Sequence, residues 1–332
     1  MAFSAFTEES LTTTSRPHGI HVLRRRHGLN QDGLFRLTLR VVAVLVVIPV
    51  LWMMVDTFAE TVPVWQRFGI PGFVTGIRWA PSFTIYGALP FIYGTLLTSA
   101  IAMLIAVPVA VLIALLITEI LPPRARTAVA VTVDLLAAIP SVVYGLWGLL
   151  VLVPFLRPFE QAVAGTAGKV VPFLAGPTPG PSYFAAGVVV SIMIIPIIAA
   201  LSREVFAATP RLHREAVRAL GGTRWDVIRT VVVPLGRSGV LAAIILGLAR
   251  AIGETIAVNM VIGNAPKIGA SIFSPGFTLA SVIANEFNEA NQELHPEALI
   301  ALGLVLLVIS VLVNGAAILI RHRFAGGVGR VA

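Results

Sequence analysis

Two ionisable side chains, Arg250 and Glu254, lie four positions apart within a segment that is otherwise apolar. A charged side chain at the centre of a bilayer costs about 2.5–3.5 kcal/mol on insertion scales, so such residues are expected to have a partner or a function. On a helix this spacing places both on one face, where they can pair with each other. One interpretation is a structural ion pair, and the other is that both residues line a polar path through the protein.

An arginine in such a path indicates an anionic solute. The planar guanidinium offers two parallel donors that match a tetrahedral oxyanion. A carboxylate beside it would repel a fully deprotonated anion such as sulfate. It could instead accept a hydrogen bond from an oxyanion that keeps a proton at neutral pH, as orthophosphate does. Glu254 therefore favours phosphate, whereas Arg250 alone would suit any anion.

The composition places these residues in a membrane protein. Apolar residues make up 57% of the 332 residues and charged residues 12%, which is about half the charged fraction of soluble domains. Three stretches hold no charged residue, 79–118, 170–202 and 298–320, and each exceeds the roughly 20 residues that span a bilayer. The basic residues that give the net charge of +8 lie outside these stretches. A nucleic-acid-binding protein would interleave them with the rest of its fold, so the sequence indicates contact with membrane lipid and not with nucleic acid.

Six apolar segments are long enough to cross the membrane once each. They cover residues 37–58, 87–117, 128–153, 183–201, 239–262 and 298–320. The sequence therefore predicts an all-α polytopic membrane protein with six transmembrane helices. The stretch 157–181 is rich in proline and glycine and is predicted to be irregular.

Lysine and arginine collect in alternate loops, and their excess marks the cytoplasmic side. The basic segments are the N-terminal arm, residues 119–127, residues 202–238 and the C-terminal tail. All four fall on one side if six helices alternate, so both termini are predicted to be cytoplasmic. The predicted parts are a cytoplasmic arm (1–36), a first transmembrane helix with its external loop (37–86), a five-helix core (87–322) and a cytoplasmic tail (323–332).

The cytoplasmic segment 202–238 is too long for an ordinary loop between helices. It is predicted to form a helix, a glycine stop and a second helix. The signals for these boundaries follow one another along the chain: Thr209-Pro210, Gly221-Gly222, Thr223 with Asp226, and Pro234. Such an amphipathic element could rest on lipid headgroups or dock onto a cytoplasmic protein, and physical reasoning alone leaves both open.

This segment resembles the EAA loop of ABC-importer permeases. The shared pattern is Glu215-Ala216, Gly221 six residues after the glutamate, and Pro234 at the end. The departures are three valines in place of alanine, isoleucine and leucine: Val217, Val231 and Val233. In that family the loop forms the coupling helix, which inserts into a groove of the ATP-hydrolysing subunit. The resemblance implies this coupling role for Glu215, Ala216, Gly221 and Pro234.

The segment around the charged pair carries a second resemblance. Residues 247–264, with Gly-Glu-Thr at 253–255, are similar to the phosphate-importer permeases of the PstC type, and residues 94–99 and 139–147 agree with the same family. The resemblance covers roughly residues 40–322. It implies a type I ABC-importer permease fold for the core, with Arg250 and Glu254 in the substrate pathway.

By this resemblance the chain forms half of the transmembrane pathway of an ATP-driven phosphate importer in the bacterial cell membrane. The implied partners are a homologous permease subunit of the PstA type, a dimer of the ATPase subunit and an external phosphate-binding protein. Two alternatives stay open. One is a permease for another oxyanion or solute, and the other is a secondary transporter or channel that needs no ATPase.

The sequence predicts no catalytic activity for this chain. It lacks the Gly-x-x-x-x-Gly-Lys-Ser/Thr loop that cradles nucleotide phosphates. It contains no cysteine, and all six histidines lie outside the predicted spans. The chain is therefore predicted not to be an enzyme and to bind no metal or cofactor, with ATP-Mg used by the partner ATPase. Asp134, near the cytoplasmic end of the third predicted span, is interpreted as structural.

Overall fold

The structure, a computed structural model, describes residues 31–325. This part is helical apart from turns, loops and two isolated bridges, Ala80–Ile85 and Gly263–Gly276. Its α-helices are α1 (Gln31–Glu60), α2 (Val62–Thr75), α3 (Leu89–Leu115), α4 (Pro123–Ala137), α5 (Ser141–Trp147), α6 (Val153–Gly165), α7 (Tyr183–Ala207), α8 (Arg211–Ala219), α9 (Arg224–Val227), α10 (Val233–Gly253), α11 (Ile256–Val261), α12 (Leu279–Glu286) and α13 (His295–Ala325). Most of the predicted arm 1–36 and tail 323–332 lies outside the described residues.

Six helical stretches in the described part are long and apolar enough to cross a membrane. They are Gly33–Glu60, Leu89–Ile120, Ser141–Gly165, Tyr183–Ala207, Arg224–Gly253 and His295–Leu319. The predicted number and order of spans are confirmed.

The chain divides after Met54 into two compact units. The described residues of the first unit form the beginning of α1. Their apolar side chains are exposed, for example Leu45 and Trp52, as expected for a helix surrounded by lipid. The second unit begins at Val55 and contains the remaining helices and all of the candidate site residues.

The third span was predicted at the wrong place. The predicted segment 128–153 is broken at residues 138–140, between the end of α4 at Ala137 and the start of α5 at Ser141. Pro140 lacks a backbone N–H and disfavours the helical conformation at the residue before it, which accounts for the break here. The span is instead Ser141–Gly165, and the first part of the stretch predicted to be irregular is helical.

Proline at several other positions lies within a helix, as Pro108 does in α3 and Pro196 in α7, and two such prolines follow a π-helical turn. A π-helical turn at Gly148–Leu152 precedes Pro154, and another at Ile228–Val232 precedes Pro234. A proline ring collides with the carbonyl one turn earlier, and a local π-turn widens the helix there. The prediction that Pro234 ends a helix before the membrane was therefore wrong, because α9, the π-turn and α10 continue as one helix from Arg224 to Gly253.

Helices α3 and α7 form the centre of the core through small residues. Ala102, Ala106 and Ala110 of α3 are fully buried. Gly187 of α7 lies so close to α3 that an added Cβ would be 2.7 Å from Cβ of Ile101. Small residues let transmembrane helices approach closely, and packing of this kind stabilises helix pairs in lipid. This central pair positions α10, which packs on α7 through contacts such as Gly247 with Ile198 and also contacts α3.

A glycine on α3 provides a test of this packing. A Cβ at Gly94 would overlap the backbone carbonyl of Phe277 and lie 2.9 Å from Cε1 of Tyr183. Gly94→Ala is expected to destabilise the protein by about 1–3 kcal/mol, the usual cost of overpacking. Thermal denaturation in detergent measures this. The matched control is Gly315→Ala in α13, where a Cβ meets nothing within 4 Å. Equal stability of the two variants would contradict the prediction.

Candidate functional site

Helix α10 ends at Gly253, so Glu254 does not lie on the helix that carries Arg250. The backbone of Glu254 is extended, with φ −69° and ψ 125°. Its carboxylate accepts a hydrogen bond from the N–H of Ala257 at 3.3 Å, in the first turn of α11. The prediction that the two residues occupy one face of a continuous helix was wrong. The apolar run predicted as the fifth span is α10 followed by a break and the short helix α11.

Arg250 and Glu254 nevertheless line the same cavity. It is an open pocket of about 450 Å³ between α7 and α10, bounded also by Ile197 and Leu246. Arg250 is exposed, and Glu254 is 8% exposed. The two form no ion pair with each other, and neither belongs to any of the ion pairs among the described residues. The interpretation of a mutually neutralised structural pair loses its support, because both charges face a cavity instead.

The break at residues 253–255 adds backbone polar groups to this region. Thr255 Oγ1 donates a hydrogen bond to the carbonyl of Gly253 at 3.1 Å, and α11 resumes at Ile256. Non-helical backbone at membrane depth is tolerated where it lines a cavity or is buried in protein. Interrupted transmembrane helices commonly mark solute sites. Sequence reasoning missed this break, although Gly253 within an apolar run was the available signal.

The predicted cytoplasmic element forms as helix, stop and helix. Helix α8 begins at Arg211 after Pro210, without the predicted side-chain cap from Thr209. Thr209 is instead buried. Gly221 has a φ of +84°, which confirms the predicted left-handed stop. The predicted capping box also forms: the N–H of Thr223 donates to Oδ2 of Asp226 at 2.8 Å, and the N–H of Asp226 donates to Oγ1 of Thr223 at 3.3 Å.

The surface of α8 is exposed where the resemblance places a docking helix. Glu215 and Ala216 are both exposed. Leu212 is 74% exposed and Leu220 90% exposed. Large apolar side chains beside polar ones on a protruding element are typical of a protein interaction site. We name residues 211–222 the elbow.

The elbow is held on the membrane helices by Arg214 and by the packing of Val217 against a buried cluster that includes Phe206 and Val227. Nη2 of Arg214 donates to the carbonyl of Phe206 at 2.6 Å and lies 3.0 Å from Oε1 of Glu119. The side chains of Arg214 and Glu119 are only 18% and 6% exposed. Nearby, Arg203 pairs with Asp134 at 3.3 Å, in agreement with a structural role for that aspartate. The contacts of Arg214 connect the elbow to the end of α7 and to the π-turn that follows α3.

The left-handed conformation at Gly221 provides a test of the elbow. Any L-residue with a Cβ pays about 1–2 kcal/mol there, and a β-branched residue is the least tolerated. Gly221→Val is expected to weaken binding of the ATPase subunit roughly tenfold. The amount of ATPase that co-purifies with the chain measures this. A Cβ at this position meets nothing within 4 Å, so only backbone conformation is changed.

The control for this change is Gly221→Asn, since asparagine tolerates the left-handed region better than other residues do. It is expected to retain most of the bound ATPase. If the valine and asparagine variants retained equal amounts, the conformation of the elbow would not matter for docking.

A buried carboxylate at the opposite end of α7 also escaped sequence reasoning. Glu160 of α6 is fully buried, and its Oε1 accepts a hydrogen bond from Ser182 at 3.0 Å. Ser182 in turn caps the start of α7 by accepting from the N–H of Ala185 at 3.1 Å. The stretch had been predicted to be irregular, so no buried partner was expected for this glutamate. The contact joins the third span to the fourth.

Comparisons with known proteins identify the family of this chain. Residues 106–326 match the family described as binding-protein-dependent transport system inner membrane component. The chain is 41% identical to the phosphate transport system permease protein PstC of Mesorhizobium japonicum, covering 87% of this chain and 89% of that protein. It is 40% identical to PstC of Haemophilus influenzae, covering 85% and 90%. It is also 40% identical to PstC 2 of Mycobacterium tuberculosis, covering 89% and 92%.

Solved structures with the same fold include two bacterial ABC transporters. One is an alginate transporter in complex with its pentasaccharide-bound periplasmic protein, with a TM-score of 0.56 at 14% identity over 83% of this chain and 92% of that chain. The other is involved in alginate import, with a TM-score of 0.54 at 15% identity over 87% and 98%. The fold is thus that of an ABC-importer permease. Six apolar helices and these relatives together show that the chain belongs to the binding-protein-dependent transport system inner membrane components, within their PstC group.

Proposed function

We propose that this chain is a permease subunit of an ATP-driven phosphate importer and forms half of its transmembrane pathway. The observation that carries this proposal is the cavity shared by Arg250 and Glu254 beside the break in the fifth span. An exposed guanidinium offers two donors to a tetrahedral oxyanion. The nearby carboxylate favours an anion that still carries a proton. The PstC relatives support phosphate as this anion.

The proposed orientation places the elbow and both termini in the cytoplasm. The basic segments predicted to lie inside include the elbow, with Arg211, Arg214 and Arg218. In the cytoplasm the elbow contacts a separate ATPase. That subunit hydrolyses ATP, a reaction for which this chain has no motif. The further proposed partners are a PstA-type permease, a second copy of the ATPase and an external phosphate-binding protein. The chain itself is proposed to bind no cofactor, and ATP-Mg belongs to the ATPase.

One continuous helix links the two candidate sites. It begins at Arg224, directly after the elbow, and ends at Gly253, where the pathway cavity begins. Its 30 residues span about 45 Å at 1.5 Å per residue. A displacement of the elbow by the ATPase would therefore be transmitted along this helix to the segment between Arg250 and Glu254. This is the proposed route by which ATP-driven movement alternates access to the cavity.

Uptake of radiolabelled phosphate tests the proposed solute. A strain lacking this chain is expected to lose ATP-dependent phosphate uptake and to regain it with the chain restored. Sulfate and molybdate serve as competitors and are expected to have little effect. Unchanged phosphate uptake in the deletion strain would contradict phosphate as the solute.

The same uptake assay distinguishes phosphate import from two other functions. Arg250 alone would suit any anion, so a permease for another oxyanion would show competition by that anion. A secondary transporter or channel would continue to transport after depletion of cellular ATP with the ion gradients maintained. ATP dependence of uptake is expected if the elbow is driven by an ATPase.

A further inference from the structure

A second cavity lies at the base of the elbow, away from the proposed pathway. It has a volume of about 420 Å³ and is bounded by the end of α3, α4, the end of α7 and the first turn of α8. This volume is within the range of small-molecule sites. Four arginines line it: Arg126, Arg203, Arg211 and Arg214. The transport mechanism proposed above gives this cavity no role.

Two of these arginines have carboxylate partners and two do not. Arg203 pairs with Asp134, and Arg214 pairs with Glu119. Arg126 donates to the backbone carbonyl of Thr118 at 2.6 Å, and Arg211 is exposed on the first turn of α8. Within residues 31–325 neither Arg126 nor Arg211 belongs to an ion pair.

The local charge favours an anion. Glu204 also lines the cavity, so the four arginines face three carboxylates when Asp134 and Glu119 are included. The net charge around the cavity is therefore positive. Glu204 could accept a hydrogen bond from a singly protonated phosphate, in the way proposed for Glu254 in the pathway.

Two donors in the wall of this cavity have no acceptor. Nη1 of Arg203 and Nε of Arg214 are buried without a hydrogen-bond partner among the described residues. Buried donors in native proteins nearly always have a partner, from protein, water or ligand. Because both atoms are buried, a group in the cavity would be bound by the exposed guanidinium groups of Arg126 and Arg211 beside them. Guanidinium groups match phosphate oxygens in geometry as well as charge.

We infer that this cavity binds a phosphoryl group, with Arg126 and Arg211 as its direct ligands. A group held there would connect α4 to the first turn of α8 and so brace the elbow. Two kinds of molecule carry such a phosphoryl group: inorganic phosphate in the cytoplasm and the headgroup of an anionic lipid. The inference goes beyond the proposed transport function and requires only that the elbow be cytoplasmic.

The test uses the intact membrane complex in two kinds of nanodisc. The chain carries Arg250→Gln, so that the pathway cavity contributes no phosphate binding, and the ATPase sites are filled with a non-hydrolysable ATP analogue. In phosphatidylcholine discs, inorganic phosphate is titrated by calorimetry. In discs that contain phosphatidylglycerol, the lipid retained on the complex after detergent extraction is measured by native mass spectrometry.

Three variants of this complex are compared in both discs. Arg211→Gln alters an exposed side chain that takes part in none of the ion pairs of the described part. Arg126→Gln together with Arg211→Gln removes both proposed ligands. The matched control is Arg229→Gln, an exposed arginine outside the elbow that does not line the cavity. Retention of the ATPase on size exclusion checks that each complex remains assembled.

The double variant is expected to weaken phosphate binding at least about tenfold, since charge-assisted hydrogen bonds are lost. The single variant is expected to show part of this loss and the control none. This result in phosphatidylcholine discs identifies inorganic phosphate as the ligand. The same pattern found only for retained phosphatidylglycerol identifies a lipid headgroup. Equal binding by the double variant and the control, or no binding in either disc, would overturn the inference.

Discussion

Replacing Arg250 with glutamine is expected to lower phosphate uptake at least about 100-fold. A hydrogen bond to a charged group contributes about 1.5–3 kcal/mol, and a guanidinium fork makes two of them. Each 1.4 kcal/mol corresponds to a factor of ten in rate. The fold should be retained, because Arg250 is exposed and belongs to none of the ion pairs between described residues. Labelled phosphate uptake gives the effect, and immunoblotting of membranes gives the amount of chain.

Two further variants separate charge from geometry in this prediction. Arg250→Lys keeps the charge but loses the fork, so an intermediate loss of uptake is expected. Arg229→Gln removes the same charge from an exposed position on the same continuous helix, outside the cavity, and near-normal uptake is expected. If Arg250→Gln transported within a few-fold of the unchanged chain, Arg250 would have no role in the pathway.

Replacing Arg214 with alanine is expected to detach the elbow and abolish transport. The change leaves Glu119 buried without its partner, and breaking a buried ion pair from one side costs about 3–5 kcal/mol. The hydrogen bond from Arg214 to the carbonyl of Phe206 is lost as well. Amide hydrogen exchange across residues 211–222 should become faster by roughly 100-fold or more. Phosphate uptake should fall to the level of the deletion strain.

The matched control for Arg214 lies on the same helix. Arg218→Ala removes an exposed arginine from the last turn of α8, and hydrogen exchange of the elbow should change little. The double variant Arg214→Met with Glu119→Gln should recover part of the protection, because no uncompensated charge stays buried. Equal exchange rates in Arg214→Ala and Arg218→Ala would show that this ion pair does not hold the elbow.

Local sequence signals predicted the features that depend on few residues. The number and order of the spans follow from apolar length alone, and the elbow follows from glycine and capping chemistry. Gly221 and the pair Thr223 and Asp226 each satisfy backbone requirements within a few positions. Such requirements are local, so they can be interpreted without knowledge of the packing around them.

Features that depend on tertiary contacts were predicted incorrectly or missed. Pro140 breaks a helix whereas Pro234 follows a π-turn within one, so a proline in the sequence does not by itself predict which outcome occurs. The break after Gly253 requires a cavity beside it, which apolar periodicity cannot reveal. The same holds for Glu160, whose only described partner comes from the start of another helix. The candidate site was therefore located by sequence, but its geometry was not.

The side of the membrane on which the elbow lies tests the account most directly. The chain contains no cysteine, so Glu215→Cys introduces a unique thiol on an exposed position of α8. A membrane-impermeant maleimide is applied to right-side-out and to inside-out vesicles that contain the chain, first without the ATPase and then with the ATPase added. The account predicts labelling in inside-out vesicles alone, with protection when the ATPase is bound. Labelling in intact right-side-out vesicles would place the elbow outside the cell, where no ATPase could drive it.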